Sequence, residues 1–174
     1  MNIYNQNTAN FPRNNTDVFF DIGSNKKFGG ILDKNLKFIQ KIQLKDINAW
    51  KNFVHQFRIN PDDADAGWRG EFWGKMMRGA CFVYSYSKDK ELYNVLKETV
   101  NDIISAQDDL GRISTYSVEK DFDGWDMWAR KYVLLGMQYF LEICDEVDFC
   151  ENIVNSMCLQ ADYIISIFGD TNGK

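Results

Sequence analysis

The pattern of apolar residues along the chain is the feature that most restricts its fold. In residues 71 to 87 and 125 to 144, apolar side chains recur on nearly every side of a helical wheel, which indicates helices buried on more than one face. Residues 90 to 107 and 149 to 168 carry a single apolar stripe, as expected of helices with one side in water. A similar single stripe runs through residues 46 to 57. The sequence therefore predicts alternating outer and inner helices.

The connections between these helices indicate how they are arranged. Short connections between successive long helices favour antiparallel neighbours. The chain has only two prolines, Pro12 and Pro61, and the four long helical segments follow the second. No tetratricopeptide or armadillo repeat motif is present. We therefore expect an all-α fold of stacked antiparallel αα-hairpins, either an open solenoid or a closed α/α toroid.

The N-terminal part of the chain gives different signals. Residues 1 to 35 include an asparagine-rich stretch and are predicted to form a polar, loosely ordered segment ahead of a helical domain over residues 36 to 174. Residues 36 to 45 alternate partly between apolar and polar side chains, which predicts a short strand. Asp46 then predicts an N-cap for the helix that follows.

Charge and hydropathy argue against several classes of protein. The formal net charge of -5 argues against a nucleic-acid binder, because phosphate contacts need a basic face. No apolar run approaches the ~20 residues needed to cross a bilayer, so we expect no membrane partner. The N-terminus lacks the basic start and apolar stretch of a signal peptide. These features predict a cytoplasmic protein.

Cysteine and histidine are sparse and do not form a recognisable site. The four cysteines, Cys81, Cys144, Cys150 and Cys158, include no C-x-x-C pair. We expect free buried thiols and no zinc site built from these four alone. His55, the only histidine, falls off the apolar stripe of its helix, which predicts a surface position.

Two short stretches place tryptophan beside charged residues where the two inner helices begin. They read "GWRGEFWGK" over residues 67 to 75 and "GWDMWARK" over residues 124 to 131. One antiparallel helix separates the inner helices, so these should run parallel with their N-termini at the same end. Long loops, residues 60 to 67 and 110 to 124, precede the two stretches. We therefore expect both stretches to meet at one mouth.

The composition of this mouth suits a sugar. The C–H face of a sugar ring packs on an indole, while carboxylates and basic groups bind the hydroxyls. A few converging polar groups in an aromatic cleft are the usual pattern of a small-molecule site. The plainer interpretation is that the tryptophans belong to the core. The candidate substrate-binding residues are Trp68, Arg69, Glu71, Trp73, Lys75, Trp125, Asp126, Trp128, Arg130 and Lys131.

Other chemistries at the same loops have weaker support in the sequence. Four aspartates resemble broken calcium loops but lack a complete EF-hand spacing. They are Asp63, Asp65, Asp121 and Asp123. Glu71 and Asp126 form the carboxylate pair to consider for glycosidase acid–base chemistry. A neighbouring arginine or lysine favours the ionised form of a carboxyl group, which makes it a poor general acid, so substrate-holding roles are expected instead.

The sequence also resembles a known family. The stretches "PDDADAGWRGEFWGKMMRGACF", "AQDDLGRISTYS" and "GWDMWARKYVLLG" resemble the N-terminal part of the glycoside hydrolase family 127-like proteins, the β-L-arabinofuranosidase-like group. The resemblance extends from about Lys45 to Phe168 and is most specific over residues 67 to 79 and 124 to 136. It implies a catalytic (α/α)6 toroid, of which this chain holds roughly two and a half of six hairpins. It also implies action on terminal furanose sugars.

The chain departs from that family pattern in two ways. The better-known branch has a His-Glu-Leu-Tyr-type motif where this chain has Trp-Asp-Met-Trp at residues 125 to 128. Asp126 is therefore expected to replace the glutamate as a ligand of sugar hydroxyls, while the histidine contact is missing. That branch also takes its cysteine nucleophile, glutamate acid/base and zinc from the later half of the toroid. The resemblance thus implies no catalytic residue, metal ligand or cofactor here, with zinc expected in a missing C-terminal half.

These observations lead to one expected function and two alternatives. We expect the N-terminal portion of a glycoside hydrolase, which supplies sugar-binding wall residues but no nucleophile and is inactive alone. The first alternative is a stand-alone, non-catalytic helical carbohydrate-binding or scaffold module. The second is another toroid enzyme, such as a sugar epimerase or polysaccharide lyase, which would need histidines that the mouth lacks. The expected partners are carbohydrate and a second copy of the chain, joined through exposed inner helices.

Overall fold

The computed structural model describes residues 27 to 60 and 68 to 168, with the backbone but not the side chain of Trp68. Six α-helices account for most of these residues, and no strand occurs among them, which confirms the predicted all-α class. The helices are α1 (Gly30–Ile39), α2 (Ile47–Ile59), α3 (Glu71–Ser87), α4 (Lys90–Ile104), α5 (Asp126–Leu141) and α6 (Val147–Phe168). A π-helical turn, Gln40–Leu44, joins α1 to α2, and 3-10 turns lie at Trp68–Gly70 and Val118–Lys120.

Helices α2 to α6 form two layers, as the alternating pattern predicts. The outer layer consists of α2, α4 and α6, and the inner layer of α3 and α5. The outer helices α2 and α4 run parallel, because Lys51 and Arg58 of α2 pair with Glu98 and Asp102 of α4 in the same order along both helices. Successive helices run antiparallel. The described part of the chain is therefore a stack of antiparallel αα-hairpins.

The two inner helices run parallel and in close contact. A Cβ atom on Gly74 would lie 1.8 Å from the carbonyl oxygen of Tyr132, and one on Gly136 would lie 2.9 Å from the Cα of Gly74. Only glycine permits backbones to approach this closely. The pair of glycines therefore brings the N-termini of α3 and α5 side by side, as the sequence predicts.

Aspartate side chains cap two of the outer helices. Asp46 accepts hydrogen bonds from the backbone N–H groups of Asn48 (3.0 Å) and Ala49 (3.3 Å), which confirms the predicted N-cap of α2. Asp89 accepts from the N–H of Leu92 (2.9 Å) at the start of α4. The same Asp89 carboxylate accepts from Lys45 Nζ at 2.8 Å, so it also ties the segment before α2 to α4.

The short strand predicted for residues 36 to 45 is wrong. These residues complete α1 and form the π-helical turn. The apparent alternation hides a helical spacing, because Leu36 and Ile39 pack against the core and Leu44 is buried within it. The domain boundary expected after residue 35 stays a prediction, while α1 itself begins at Gly30.

The core lies between the two layers and includes most of the thiols. It is built from buried aromatic and aliphatic side chains of α2 to α6. Cys81, Cys144 and Cys150 are buried as predicted, but Cys158 is exposed, because it lies on the solvent side of α6. His55 is exposed, in agreement with the sequence. Among the described residues, no helix has the length and apolar content required to cross a bilayer.

Candidate functional site

An exposed group of aromatic and charged side chains lies where α3 and α5 begin. We call it the aromatic–cation patch, and its members are Glu71, Lys75, Trp125, Trp128, Lys131 and Tyr132. Trp125 is 52% exposed and Trp128 is 41% exposed, which leaves a large part of each indole open to a ligand. The rings of Trp125 and Trp128 meet edge to face at 6.3 Å, and those of Trp128 and Tyr132 at 5.3 Å.

Helical spacing explains why these residues converge. Trp128 follows Trp125 by three positions and precedes Tyr132 by four, so the three rings share one face of the chain around α5. Glu71 and Lys75 are four residues apart on α3. Because α3 and α5 run parallel and in contact, the two faces form one surface.

Glu71 holds the patch together across the two helices. Its Oε2 accepts a hydrogen bond from the indole Nε1–H of Trp128, and its Oε1 lies 2.6 Å from Lys75 Nζ. The residue is only 8% exposed. Glu71 therefore acts as a fixed acceptor that orients an indole and an ammonium group.

Basic groups lie over the rings of the patch. Lys131 Nζ is 3.4 Å from the Trp128 ring centroid and 4.1 Å from that of Tyr132. Lys75 Nζ is 4.8 Å from the Tyr132 centroid. Cations are attracted to the negative face of an aromatic ring by ~0.5–1 kcal/mol at exposed sites. These contacts place hydrogen-bond donors over the aromatic faces of the patch.

The structure places Asp126 beneath the patch rather than on it. Asp126 is fully buried and accepts hydrogen bonds from Ser114 Oγ (2.6 Å), the backbone N–H of Phe122 (2.9 Å) and Arg130 Nε (2.9 Å). Both of its oxygens are therefore engaged within the protein. Asp126 thereby holds the connection between α4 and α5 in place. Because it is buried and fully engaged, it forms no exposed carboxylate pair with Glu71.

Arg130 is the centre of the same buried network. Its guanidinium pairs with Asp121 and Asp126, and Tyr163 of α6 donates a hydrogen bond to Asp121. Burial raises the pKa of Asp121, while the Tyr163 hydrogen bond and the Arg130 charge oppose that shift. Burial, followed by the hydrogen bond to Asp121, raises the pKa of Tyr163. The network fastens the connection between α4 and α5 to both layers.

Of the other candidate residues, Trp73 lies away from the patch. Its ring is fully buried and its Nε1–H donates to Thr99 Oγ1 of α4 at 3.0 Å, so the indole faces the outer layer. Arg69 is exposed at the start of α3. The side chain of Trp68 lies outside the described residues. The structure thus brings Glu71, Lys75, Trp125, Trp128 and Lys131 together.

Tyr132 is a member of the patch that the sequence analysis did not include. The signal was available, because Tyr132 lies four residues after Trp128 and seven after Trp125. Positions at this spacing share a helix face. On a helix that is apolar nearly all round, the Tyr132 ring is indistinguishable by periodicity from a core residue, although it is only partly buried.

The described residues do not fit a metal site or an activated thiol. No group of three or more His, Cys, Asp or Glu side chains is placed to hold a metal ion within residues 27 to 60 and 68 to 168. Asp121 of the broken calcium pattern is engaged by Arg130, while Asp63 and Asp65 lie outside the described residues. Burial raises the pKa of Cys81 strongly. Burial and the hydrogen bond with Cys144 raise the pKa of Cys150 to about 12, and the thiolate is the reactive form.

A cavity of about 550 Å³ lies at the opposite end of α3 from the patch. It is lined by Asp33, Lys37, Gln40 and Tyr86, among others. These polar groups are already paired: Asp33 with Lys37 at 2.7 Å and with the Tyr86 hydroxyl at 3.2 Å. The cavity is therefore a gap beneath α1 with internally satisfied walls, and the patch has more groups free to face a ligand.

Comparison with known families shows what the sequence as a whole is similar to. Residues 28–169 match the family model described as β-L-arabinofuranosidase, GH127 catalytic domain. No curated protein and no solved structure matches the sequence. The family match covers most of the chain and includes all six described α-helices. The chain belongs to the GH127 β-L-arabinofuranosidase catalytic-domain family.

Proposed function

We propose that the aromatic–cation patch is part of the sugar-binding wall of a glycoside hydrolase domain that acts on terminal furanose-type sugars. One observation carries this proposal: Trp125 and Trp128 are exposed beside Glu71 and Lys75 at the paired N-termini of the inner helices. Membership of the GH127 family supports a sugar as the ligand. The partial (α/α)6 toroid expected from the sequence remains part of this proposal.

Each member of the patch has a distinct role in this proposal. The indoles of Trp125 and Trp128 offer apolar faces to the C–H side of a sugar ring. Glu71 fixes the orientation of Trp128 through the indole N–H, which lowers the entropy lost when a ligand binds. Lys75 and Lys131 donate hydrogen bonds to the ring oxygen and hydroxyl groups.

We also propose that the chain supplies binding residues but not the nucleophile. Cys81, Cys144 and Cys150 are buried, and Cys158 is exposed on α6, which belongs to the other layer from the patch. Both oxygens of Glu71 are already engaged, which leaves this carboxylate in a holding role. We therefore place the nucleophile, the acid/base and any zinc outside this chain.

A binding experiment tests the patch. Calorimetric titration with methyl β-L-arabinofuranoside should show saturable binding that Trp128→Ala weakens about tenfold, because an aromatic stacking surface is lost. Phe38→Ala is the matched control, since Phe38 is 61% exposed on α1, away from the patch. Unchanged binding in the Trp128 variant would overturn the assignment of the patch.

A turnover experiment tests the absence of a nucleophile. The purified chain should release no nitrophenol from 4-nitrophenyl β-L-arabinofuranoside above the buffer rate. Turnover that persists through purification and disappears in one cysteine variant would place the nucleophile in this chain. The binding and turnover results are independent. The sugar-binding role of the patch and the absence of a nucleophile can therefore each be refuted separately.

A stand-alone carbohydrate-binding or scaffold module is the second candidate. The continuous buried core between the layers favours it, because the described helices already pack around one hydrophobic cluster. This candidate predicts a monodisperse protein with a single cooperative unfolding transition. A broad transition or strong aggregation would count against it. The cytoplasmic location expected from the sequence stays a prediction that cell fractionation can test.

A further inference from the structure

The exposed side of the inner layer carries more basic than acidic groups, although the chain as a whole is acidic. Lys75 and Arg78 project from α3 and Lys131 from α5, each over an aromatic ring of α5. The formal net charge of the protein is -5. A local excess of basic groups on an acidic protein attracts anions to that place.

Two of these basic groups have no carboxylate partner among the described residues. Lys75 is neutralised by Glu71 at 2.6 Å. By contrast, Lys131 and Arg78 form none of the ion pairs found within residues 27 to 60 and 68 to 168. Their contacts are with rings, at 3.4 Å for Lys131 over Trp128 and 5.5 Å for Arg78 over Tyr139.

From its position, we expect Lys131 to distinguish neutral from anionic sugar rings. Its ammonium lies over the Trp128 face on which a sugar would stack. A neutral sugar that stacks there displaces the ammonium, and the cation–ring attraction is lost. A sugar with a carboxylate displaces the same ammonium but offers it an ion pair in exchange. The lysine side chain is long and flexible enough to move to the ring's edge.

We propose that the notch between Trp128, Tyr132 and Lys131 preferentially binds a sugar ring that carries a carboxylate, that is, a uronic acid residue. This inference rests on the proposed function, because it assumes that the patch binds sugar. Arg78 and the Phe82–Tyr139 ring pair, whose centroids are 5.2 Å apart, continue the surface along α3 and α5. They provide a second basic and aromatic position for a neighbouring sugar.

Galacturonate and galactose provide a matched pair of probes, since they differ only in a carboxylate replacing a hydroxymethyl group. Calorimetric titration of the unmodified chain at low salt should show sodium D-galacturonate binding about fivefold more tightly than D-galactose, the size of one exposed ion pair. Added salt should reduce this preference because exposed charges are screened. Lys131→Gln should abolish the preference, so that galacturonate and galactose bind this variant with equal affinity.

Lys90→Gln is the matched control variant. Lys90 is an exposed lysine at the start of α4 in the outer layer, so its replacement removes the same charge at another place and should leave the preference unchanged. If Lys131→Gln and Lys90→Gln reduced the galacturonate preference equally, total charge and not the notch would set the preference. That result would overturn the inference.

The outcomes separate this inference from the proposed function. Binding of galactose and methyl β-L-arabinofuranoside that depends on Trp128, without a galacturonate preference, would overturn only the inference. Absence of binding by every sugar would overturn both. A galacturonate preference that survives Lys131→Gln would assign the anion to another position and overturn the role of the notch.

Discussion

The close approach of α3 and α5 depends on the absence of a Cβ atom at Gly74. A Cβ at this position would meet the Tyr132 carbonyl oxygen at 1.8 Å, and backbone cannot yield as a flexible side chain does. We predict that Gly74→Ala lowers the free energy of unfolding by about 3 kcal/mol, the upper end of typical overpacking costs. Urea unfolding followed by circular dichroism measures this difference.

Gly79 of the same helix is the control for that measurement. Nothing lies within 4 Å of a Cβ built there, and alanine has the higher helix propensity. Gly79→Ala should therefore stabilise the protein by up to ~1 kcal/mol. If both glycine variants were equally stable, the close contact between the inner helices would not exist as described.

At the level of single residues, the sequence predicted that the two tryptophan-rich stretches meet better than it predicted the direction of their side chains. Glu71 and Trp73 are two positions apart on α3 and therefore point to different sides, toward the patch and toward α4. Trp125 and Asp126 are adjacent, yet one is exposed and the other fully buried. When a helix is apolar nearly all round, periodicity does not show which side faces the neighbouring layer.

The Asp89 cap connects elements that are distant in sequence. The hydrogen bond from Lys45, followed by that from the Leu92 N–H, holds the pKa of Asp89 below its usual range. Its contribution to stability is therefore fully present above the ordinary aspartate pKa of about 4. It is lost as the pH falls through the lower folded-state value.

We predict that Asp89→Asn lowers stability near neutral pH by about 0.5–1 kcal/mol, the scale of a partly exposed ion pair, because asparagine can still cap α4 but loses the charge that pairs with Lys45. The difference from the unmodified chain should shrink at acid pH, which urea unfolding at pH 7 and pH 3 would measure. Glu91→Gln is the control, since Glu91 also contacts Lys45 (2.7 Å) but is largely exposed and caps no helix. A larger effect for Glu91 than for Asp89 would refute the role of the Asp89 charge in holding Lys45.

The buried network links the α4–α5 connection to α5 and α6. We predict that Arg130→Met lowers the free energy of unfolding by about 3–5 kcal/mol, because it leaves the buried Asp126 without its charged partner. Arg78→Met, which removes an exposed arginine, should change stability by less than ~0.5 kcal/mol. Chemical unfolding of both variants tests the difference, and similar stabilities would show that Arg130 has no structural role.

At the level of elements, the sequence predicted the helices well where an apolar stripe extended over several helical turns. Asp46 and the outer helices were assigned from capping and period alone. The strand prediction for residues 36 to 45 failed because ten residues fit both a two-residue alternation and a helical spacing. The network around Arg130 was not predicted, since Asp121 and Tyr163 are distant in sequence and only the packing of α6 brings them together.

For the whole molecule, the inner layer leaves apolar side chains in contact with solvent. Phe82 on α3 is 53% exposed, and its ring lies 5.2 Å from that of Tyr139 on α5. Exposed apolar surfaces of this kind favour association. We predict that the mass measured by light scattering rises with protein concentration, and that Phe82→Asp lowers this rise. Ile165→Asp, at an exposed position of the outer layer, should have no effect, and the same reduction in both variants would exclude the inner layer as the contact surface.

For the described part of the chain, the order of the helices in the sequence predicted the arrangement in two layers. Alternating one-sided and all-round apolar segments predicted two layers, because a helix between two others must bury more than one face. The closeness of α3 and α5 was not predicted, since Gly74 and Gly136 reveal their role only when the two helices lie side by side.

The most direct test of the proposed site is a nuclear magnetic resonance titration that observes the indole N–H groups. Methyl β-L-arabinofuranoside should shift the indole signals of Trp125 and Trp128, with assignments from single tryptophan-to-phenylalanine variants. Trp50 and Trp73 serve as internal controls, because both are buried and donate to Leu44 O (2.9 Å) and Thr99 Oγ1 (3.0 Å). Saturable shifts at Trp125 and Trp128 alone would support a sugar site at the patch. At a sugar concentration well above millimolar, unmoved signals for these two residues would contradict it.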